Sequence, residues 1–196
     1  MRKGEKRKQE LLQIAYRMFI TRGYENTSVD EIIEEAGIAK GTYYYHFPSK
    51  EQTLEQVIDM MLDAQEEHAR AVMAADMPIP QKVVGVIASF RPDASETTIT
   101  DALHAPGNIV MHDKTERKLR ERIVPIISEL VEQGIEEGIF NCKDIPERVK
   151  IIIILASELF DAEGFTQTDV KVFVDVIESI LGAKPGTMAF ITQLIG

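Results

Sequence analysis

The chain has 196 residues, of which 44% are hydrophobic and 28% charged, and a formal net charge of −10. That is enough apolar material for one sizeable core or two small ones, and the composition is neither sparse in hydrophobic residues nor charged enough for a disordered chain. No run approaches the roughly 20 apolar residues of a membrane-spanning helix, and the lone Cys142 excludes an internal disulfide and suits a reducing cytoplasm.

The chain opens on MRKGEKRKQE, with five basic residues among its first eight and no apolar signal core, so export is not expected. This lead reads either as a frayed, solvated terminus or as an arm that reaches phosphates. Leu11, Leu12, Ala15, Phe19 and Ile20 then fall on one face of a first helix, closed by Gly23. Ser28 followed by Glu31 is a capping box that starts a second helix, with Val29, Ile32, Ile33 and Ala36 on its apolar face. Gly37 stops it and turns the chain. A short third helix runs from about Lys40 through Thr42, Tyr43, Tyr44, Tyr45 and His46 to Phe47, where Pro48 ends it. Two short helices about a glycine turn match a helix-turn-helix, motif about 28–47, whose second helix enters the major groove of double-stranded DNA. Its lysine, hydroxyl and phenols suit that task.

Ser49 begins a long helix, 51–75, that carries Leu54, Val57, Ile58, Met61 and Leu62 and links two domains, 4–50 and 51–196. Beyond Met77-Pro78-Ile79-Pro80, Val83 to Phe90 form another helix, stopped at Pro92, and Ser95 with Thr98 to Leu103 a further one. Thr115 to Glu137 is a long helix in which Pro125 is expected to make a kink. Val149 to Phe160 is apolar nearly all round, and Val170 to Leu181 repeats apolar residues at helical spacing. The run Ile151 to Ile154 also fits a buried strand, but Pro146-Glu147 and the length favour a helix. The fold is therefore read as all-α. One helix cannot bury so much apolar surface, so these two are expected to pair as a hairpin against the same hairpin of a second subunit, through Ile152, Ile153, Ala156, Phe160, Phe173, Val174, Ile177 and Leu181.

An acidic protein is an unpromising DNA binder at first sight, yet residues 1–50 hold nine Lys or Arg against seven Asp or Glu, a surplus of two positive charges on a body that carries −12. Enzyme chemistry finds little footing. His104, His112, Asp113, Glu116 and Cys142 lack the short spacing of metal ligands, and neither a glycine-rich phosphate loop nor a nucleophile elbow is present, so no metal, cofactor or catalytic residue is expected. The alternatives are an all-α small-molecule-binding protein or an enzyme, neither touching DNA.

Residues 5–60 resemble the DNA-binding domain of the TetR family of bacterial transcriptional regulators. The resemblance is carried by Phe19 and Gly23-Tyr24, Thr27-Ser28-Val29, Ile32, Ala36-Gly37-Ile38, Lys40-Gly41-Thr42, Tyr44-Tyr45-His46-Phe47, Ser49-Lys50-Glu51 and Leu54; beyond them only Gly134 to Gly138 and the helix count match. It implies an N-terminal three-helix bundle with the helix-turn-helix, and a larger helical domain for ligand binding and dimerisation. It further implies a homodimeric, ligand-responsive repressor on a palindromic operator; no membrane partner is expected, because no apolar run is long enough to span one. By position, Lys40 and Thr42 face the groove, Tyr44 and Lys50 hold phosphates, and Thr27, Ser28, Tyr45 and His46 are further contacts. Ala39 departs from a frequent serine cap. Tyr43 replaces an inward aliphatic residue and stands either in the core or at the DNA. The small-molecule effector is expected among Met61, Phe90, His104, Met111 and His112, with Met60, Met73 and Met77 nearby; the same methionines also read as core fillers.

Overall fold

The computed structural model describes residues 3–91, 96–104, 109–160 and 164–192. Among them the chain forms nine α-helices and no strand: α1 (Lys3–Arg22), α2 (Val29–Ala36), α3 (Lys40–His46), α4 (Lys50–Ala74), α5 (Ile79–Ser89), α6 (Thr97–His104), α7 (Ile109–Glu136), α8 (Ile145–Phe160) and α9 (Gln167–Leu181). Met1, Arg2 and Ser95 lie outside the described residues. The basic lead is helical from Lys3 onward. The helix α5 begins inside the proline-rich stretch expected to break the chain, because Pro80 sits in its first turn, where no backbone donor is required. Pro125 lies within α7, which continues to Glu136, and the Ile151 to Ile154 run is helical.

Two compact units result, one holding residues 1–64 and 91–117, the other 65–90 and 118–196. In the first, α1 packs on α2 and α6, and α2 on α3. The docking of α6 is polar as well as apolar: the Thr98 hydroxyl lies 3.2 Å from the carbonyls of Phe19 and Ile20 in the last turn of α1, the first of which also accepts from the Gly23 amide at 3.0 Å. Tyr16 donates to Glu96 at 3.0 Å. Leu11, Ala15, Phe19, Ile32, Tyr43, Phe47, Leu54, Val57 and Ile99 fill the interior.

The second unit buries Ile126, Leu130 and Val131 of α7 with Val149, Ile152, Phe173, Val174, Ile177 and Leu181 of α8 and α9. The helix α9 has its own capping box, Thr166 with Asp169, and ends at Gly182 in the left-handed region, φ +65°. Beyond it, the buried carboxylate of Glu178 accepts from the backbone amides of Gly186 at 2.8 Å and Met188 at 2.7 Å. That clamp seats Met188 and Ile191 in the core.

Candidate nucleic-acid interface

The geometry of the helix-turn-helix follows from a few local devices. Ser28 Oγ accepts from the Glu31 amide at 3.2 Å while the Glu31 carboxylate accepts from the Ser28 amide at 2.7 Å, so both ends of the capping box are closed. Those bonds to Ser28 hold the Glu31 carboxyl below its ordinary range. At the other end of α2, Gly37 adopts φ +59° and Ile38 donates to the Ile33 carbonyl at 3.3 Å. The turn then delivers α3, whose cap position, Ala39, makes no side-chain bond.

A seven-residue helix with no side-chain cap at its start cannot stand alone. It is held by Tyr43 and Phe47, one turn apart and both fully buried. Their rings lie 5.6 Å apart. Thr53 Oγ1 gives its single proton to the Ser49 carbonyl at 3.1 Å, so the 2.6 Å contact between Tyr43 and Thr53 has the phenol as donor. Burial pushes the Tyr43 phenol above its ordinary pKa.

With Tyr43 turned inward, the remaining side chains of α3 face out. Tyr45 is 83% and Tyr44 42% exposed, Thr42 and His46 are half-buried, and Lys40 is exposed. The ammonium of Lys40 lies 2.9 Å from Asp30 on α2, and this pairing raises the lysine pKa. Lys50 stands over the Tyr24 ring, 4.2 Å from its centroid, and donates to the Glu25 carbonyl at 3.4 Å. Tyr24 itself is buried edge-on to Phe19, and its phenol is pushed upward first by desolvation and then by Glu51 and Glu25. Lys8 lies 6.0 Å from the Phe47 ring centroid, which brings the basic start of α1 beside the end of α3.

Two residues named as candidates for the DNA surface are inside. Tyr43, open between the core and the DNA, is core, for the reason just given. Thr27 is fully buried, its hydroxyl donating to the Gly23 carbonyl at 2.9 Å, so it ties the connection between α1 and α2. Ser28, Lys40, Thr42, Tyr44, Tyr45, His46 and Lys50 remain on or near the surface of one compact unit.

The residues expected around an effector are less unified. Met61, Met111 and His112 are half-buried in the first unit, while Phe90 packs against the core of the second. His104 falls at the end of α6, but its side chain lies outside the described residues. A groove of about 840 Å³ lies between α1 and α4, lined by Lys8, Leu12, Gln52, Glu55, Asp59, Met60 and Asp63 among others, and by none of those five residues.

The expected dimer residues divide. Ile152, Phe173, Val174, Ile177 and Leu181 are buried in the chain's own core, and Ile153, Ala156 and Phe160 are half-buried against it. The apolar residues left in the open on these two helices are Ile151, Ile154 and Leu155 on α8 and Val172 and Val176 on α9. Their spacing, three and four apart, is a second stripe that sequence reasoning passed over.

Residues 11–57 match a family model described as bacterial regulatory proteins, tetR family, and residues 93–177 match one described as a tetracyclin repressor-like C-terminal domain. Among curated proteins, the HTH-type transcriptional repressor KstR2 of Mycolicibacterium smegmatis is 30% identical over 140 residues, covering 69% of this chain and 68% of its own length. The uncharacterized HTH-type transcriptional regulator YhgD of Bacillus subtilis is 24% identical over 151 residues, covering 76% and 78%. Among solved structures, RolR without ligand superposes with a TM-score of 0.66 at 18% identity over 96% of both chains. RolR in complex with resorcinol gives 0.64, also at 18% identity, over 99% of this chain and 95% of its own.

Proposed function

Because this chain belongs to the TetR family and is a DNA-binding transcription regulator, we propose that it acts as a ligand-responsive repressor, a homodimer on a palindromic operator. The observation that carries the reading is the partition of α3. Tyr43 and Phe47 lock it into the core, which leaves Lys40, Thr42, Tyr44 and Tyr45 to meet the major groove. Thr42 reads a base edge or a thymine methyl, while Tyr44 and Lys50 hold phosphates, with Ser28 a further contact. His46 borders the same surface. Repression follows from occlusion: two heads about 34–36 Å apart occupy successive turns of one face of the duplex.

Two copies meet through the exposed stripe of Ile151, Ile154, Leu155, Val172 and Val176, which in a lone chain faces water at a cost that pairing removes. The effector is a small, mostly apolar molecule, a class that includes the resorcinol held by the fold neighbour RolR. Its binding shifts the population of head spacings. The protein works in the cytoplasm; none of the helices searched among the described residues is long and apolar enough to cross a membrane.

Selection of duplexes from a random library by the purified protein tests the reading. It should enrich a palindrome whose affinity falls steeply with salt. Failure to enrich any sequence, or binding indifferent to salt, would overturn it. Ile154→Glu should yield monomers in sedimentation, and an unchanged dimer would remove the stripe from the interface.

A further inference from the structure

Three carboxylates of the helix α2 pair with cations of neighbouring elements. Glu35 meets Arg17 at 2.7 Å, Glu31 meets Arg22 at 3.5 Å, and Asp30 meets Lys40 at 2.9 Å. Only the last of these cations lies on the reading helix. Both partners of that pair are largely solvated, with side chains 74% exposed for Asp30 and 62% for Lys40. An exposed pair of this kind adds little to folding, so its effect on what Lys40 can bind is the more consequential one.

Resting on the DNA-binding reading above, we propose that Asp30 is a positioning residue that makes Lys40 a reader of base edges instead of a clamp on phosphates. An ammonium has three N–H donors. Asp30 takes one, which fixes the direction of the other two and cancels the net charge. A guanine edge offers two neutral acceptors, O6 and N7, and can take the remaining donors with the pair intact. A phosphate, in contrast, brings a full negative charge against the Asp30 carboxylate. The pair therefore withholds Lys40 from sequence-independent adhesion, the part of DNA affinity that phosphate neutralisation supplies. An acidic DNA binder whose residues 1–50 carry a surplus of only two positive charges gains discrimination from this arrangement and loses nonspecific affinity.

The experiment compares wild type, Asp30→Asn, Lys40→Met and the double variant. Each is titrated with the duplex selected by wild type and with a scrambled duplex of equal length, over a range of salt. Asp30→Asn should tighten binding to the scrambled duplex by about two- to five-fold, the usual worth of one exposed ion pair, and steepen its salt slope by up to about one per head. The selected duplex should gain less, so that the ratio of the two affinities falls. In the Lys40→Met background, Asp30→Asn should change neither the scrambled affinity nor its slope. An equal gain with and without Lys40 would mean that Asp30 acts only through net charge and would overturn the proposal, as would a scrambled-duplex affinity that does not move. A wild type that selects no duplex would instead sink the regulator reading. Matching far-ultraviolet spectra and melting temperatures establish that all four proteins are folded.

Discussion

Tyr43→Phe and Tyr43→Ala separate an anchor from a contact. Tyr43 is fully buried, and its phenol donates to Thr53, which keeps a second partner in the Ser49 carbonyl. Removing the hydroxyl thus deletes one hydrogen bond without orphaning the other oxygen, a loss of about 0.5–1.5 kcal/mol. For a chain of this size that is a drop in melting temperature of roughly 1–6 °C. Tyr43→Ala also removes the ring and its contacts with Tyr44 and Phe47. A buried aromatic truncated to alanine costs about 3–5 kcal/mol, a large share of the roughly 5–15 kcal/mol that holds a domain together. Because α3 has no side-chain cap and only seven residues, that loss should fall on its placement. Denaturant melts and DNA titrations should therefore show Tyr43→Phe slightly less stable with DNA affinity within about two-fold of wild type, and Tyr43→Ala strongly destabilised and unable to bind. The reasoning fails if Tyr43→Phe keeps full stability and loses DNA binding ten-fold, since the phenol would then be touching the duplex.

Three further outcomes follow. Glu178→Ala strips the acceptor from the Gly186 and Met188 amides and should cost about 3 kcal/mol in chemical denaturation, with faster proteolysis after residue 182; unchanged stability would mean that the clamp is incidental. Gly182→Ala should destabilise as well, because the position has φ +65° and an added Cβ would lie 2.2 Å from the Asn141 carbonyl oxygen. In alkaline spectrophotometric titration, Tyr24 and Tyr43 should ionise only as the protein unfolds. Burial raises both folded-state values above the ordinary 10.0, so the folded chain holds these protons after the unfolded chain has released them, and stability is full below pH 10 and falls above it. Early ionisation of every tyrosine would contradict their burial.

What the sequence disclosed was what is local. The Ser28–Glu31 box and the Gly37 turn are interactions across three to five residues, and both stand as expected. The inward turn of Tyr43 was not legible, because three consecutive tyrosines share one chemistry and the choice among them is made by Thr53, ten residues on. A similar limit applied to α8. A helix apolar all round does not announce which side its own chain covers, so the interior residues Ile152 and Val149 could not be told from the exposed Ile151 and Ile154 until α9 and α7 were in place. The docking of α6 onto α1 rests on Thr98 and two carbonyls nearly eighty positions earlier, a contact without any periodic signature. Asp30 escaped notice for a related reason, since a carboxylate in the first turn of a helix has an ordinary explanation in the helix dipole and reveals its second partner only when the turn folds back.

The clamp at Glu178 bears on how the protein comes into being. Synthesis proceeds from the N-terminus, and domains fold as their residues emerge. The first unit has its full complement of helices once residue 117 is out. The second cannot close its core until Met188 and Ile191 arrive and the waiting carboxylate fixes them. For the interval between, a nascent chain carries a finished reading head ahead of an open, apolar companion. A chain cut between Gly182 and Gly186 would stay in that state, with the surface proposed to face DNA formed and the places of Met188 and Ile191 in the second core left open to chaperones and proteases.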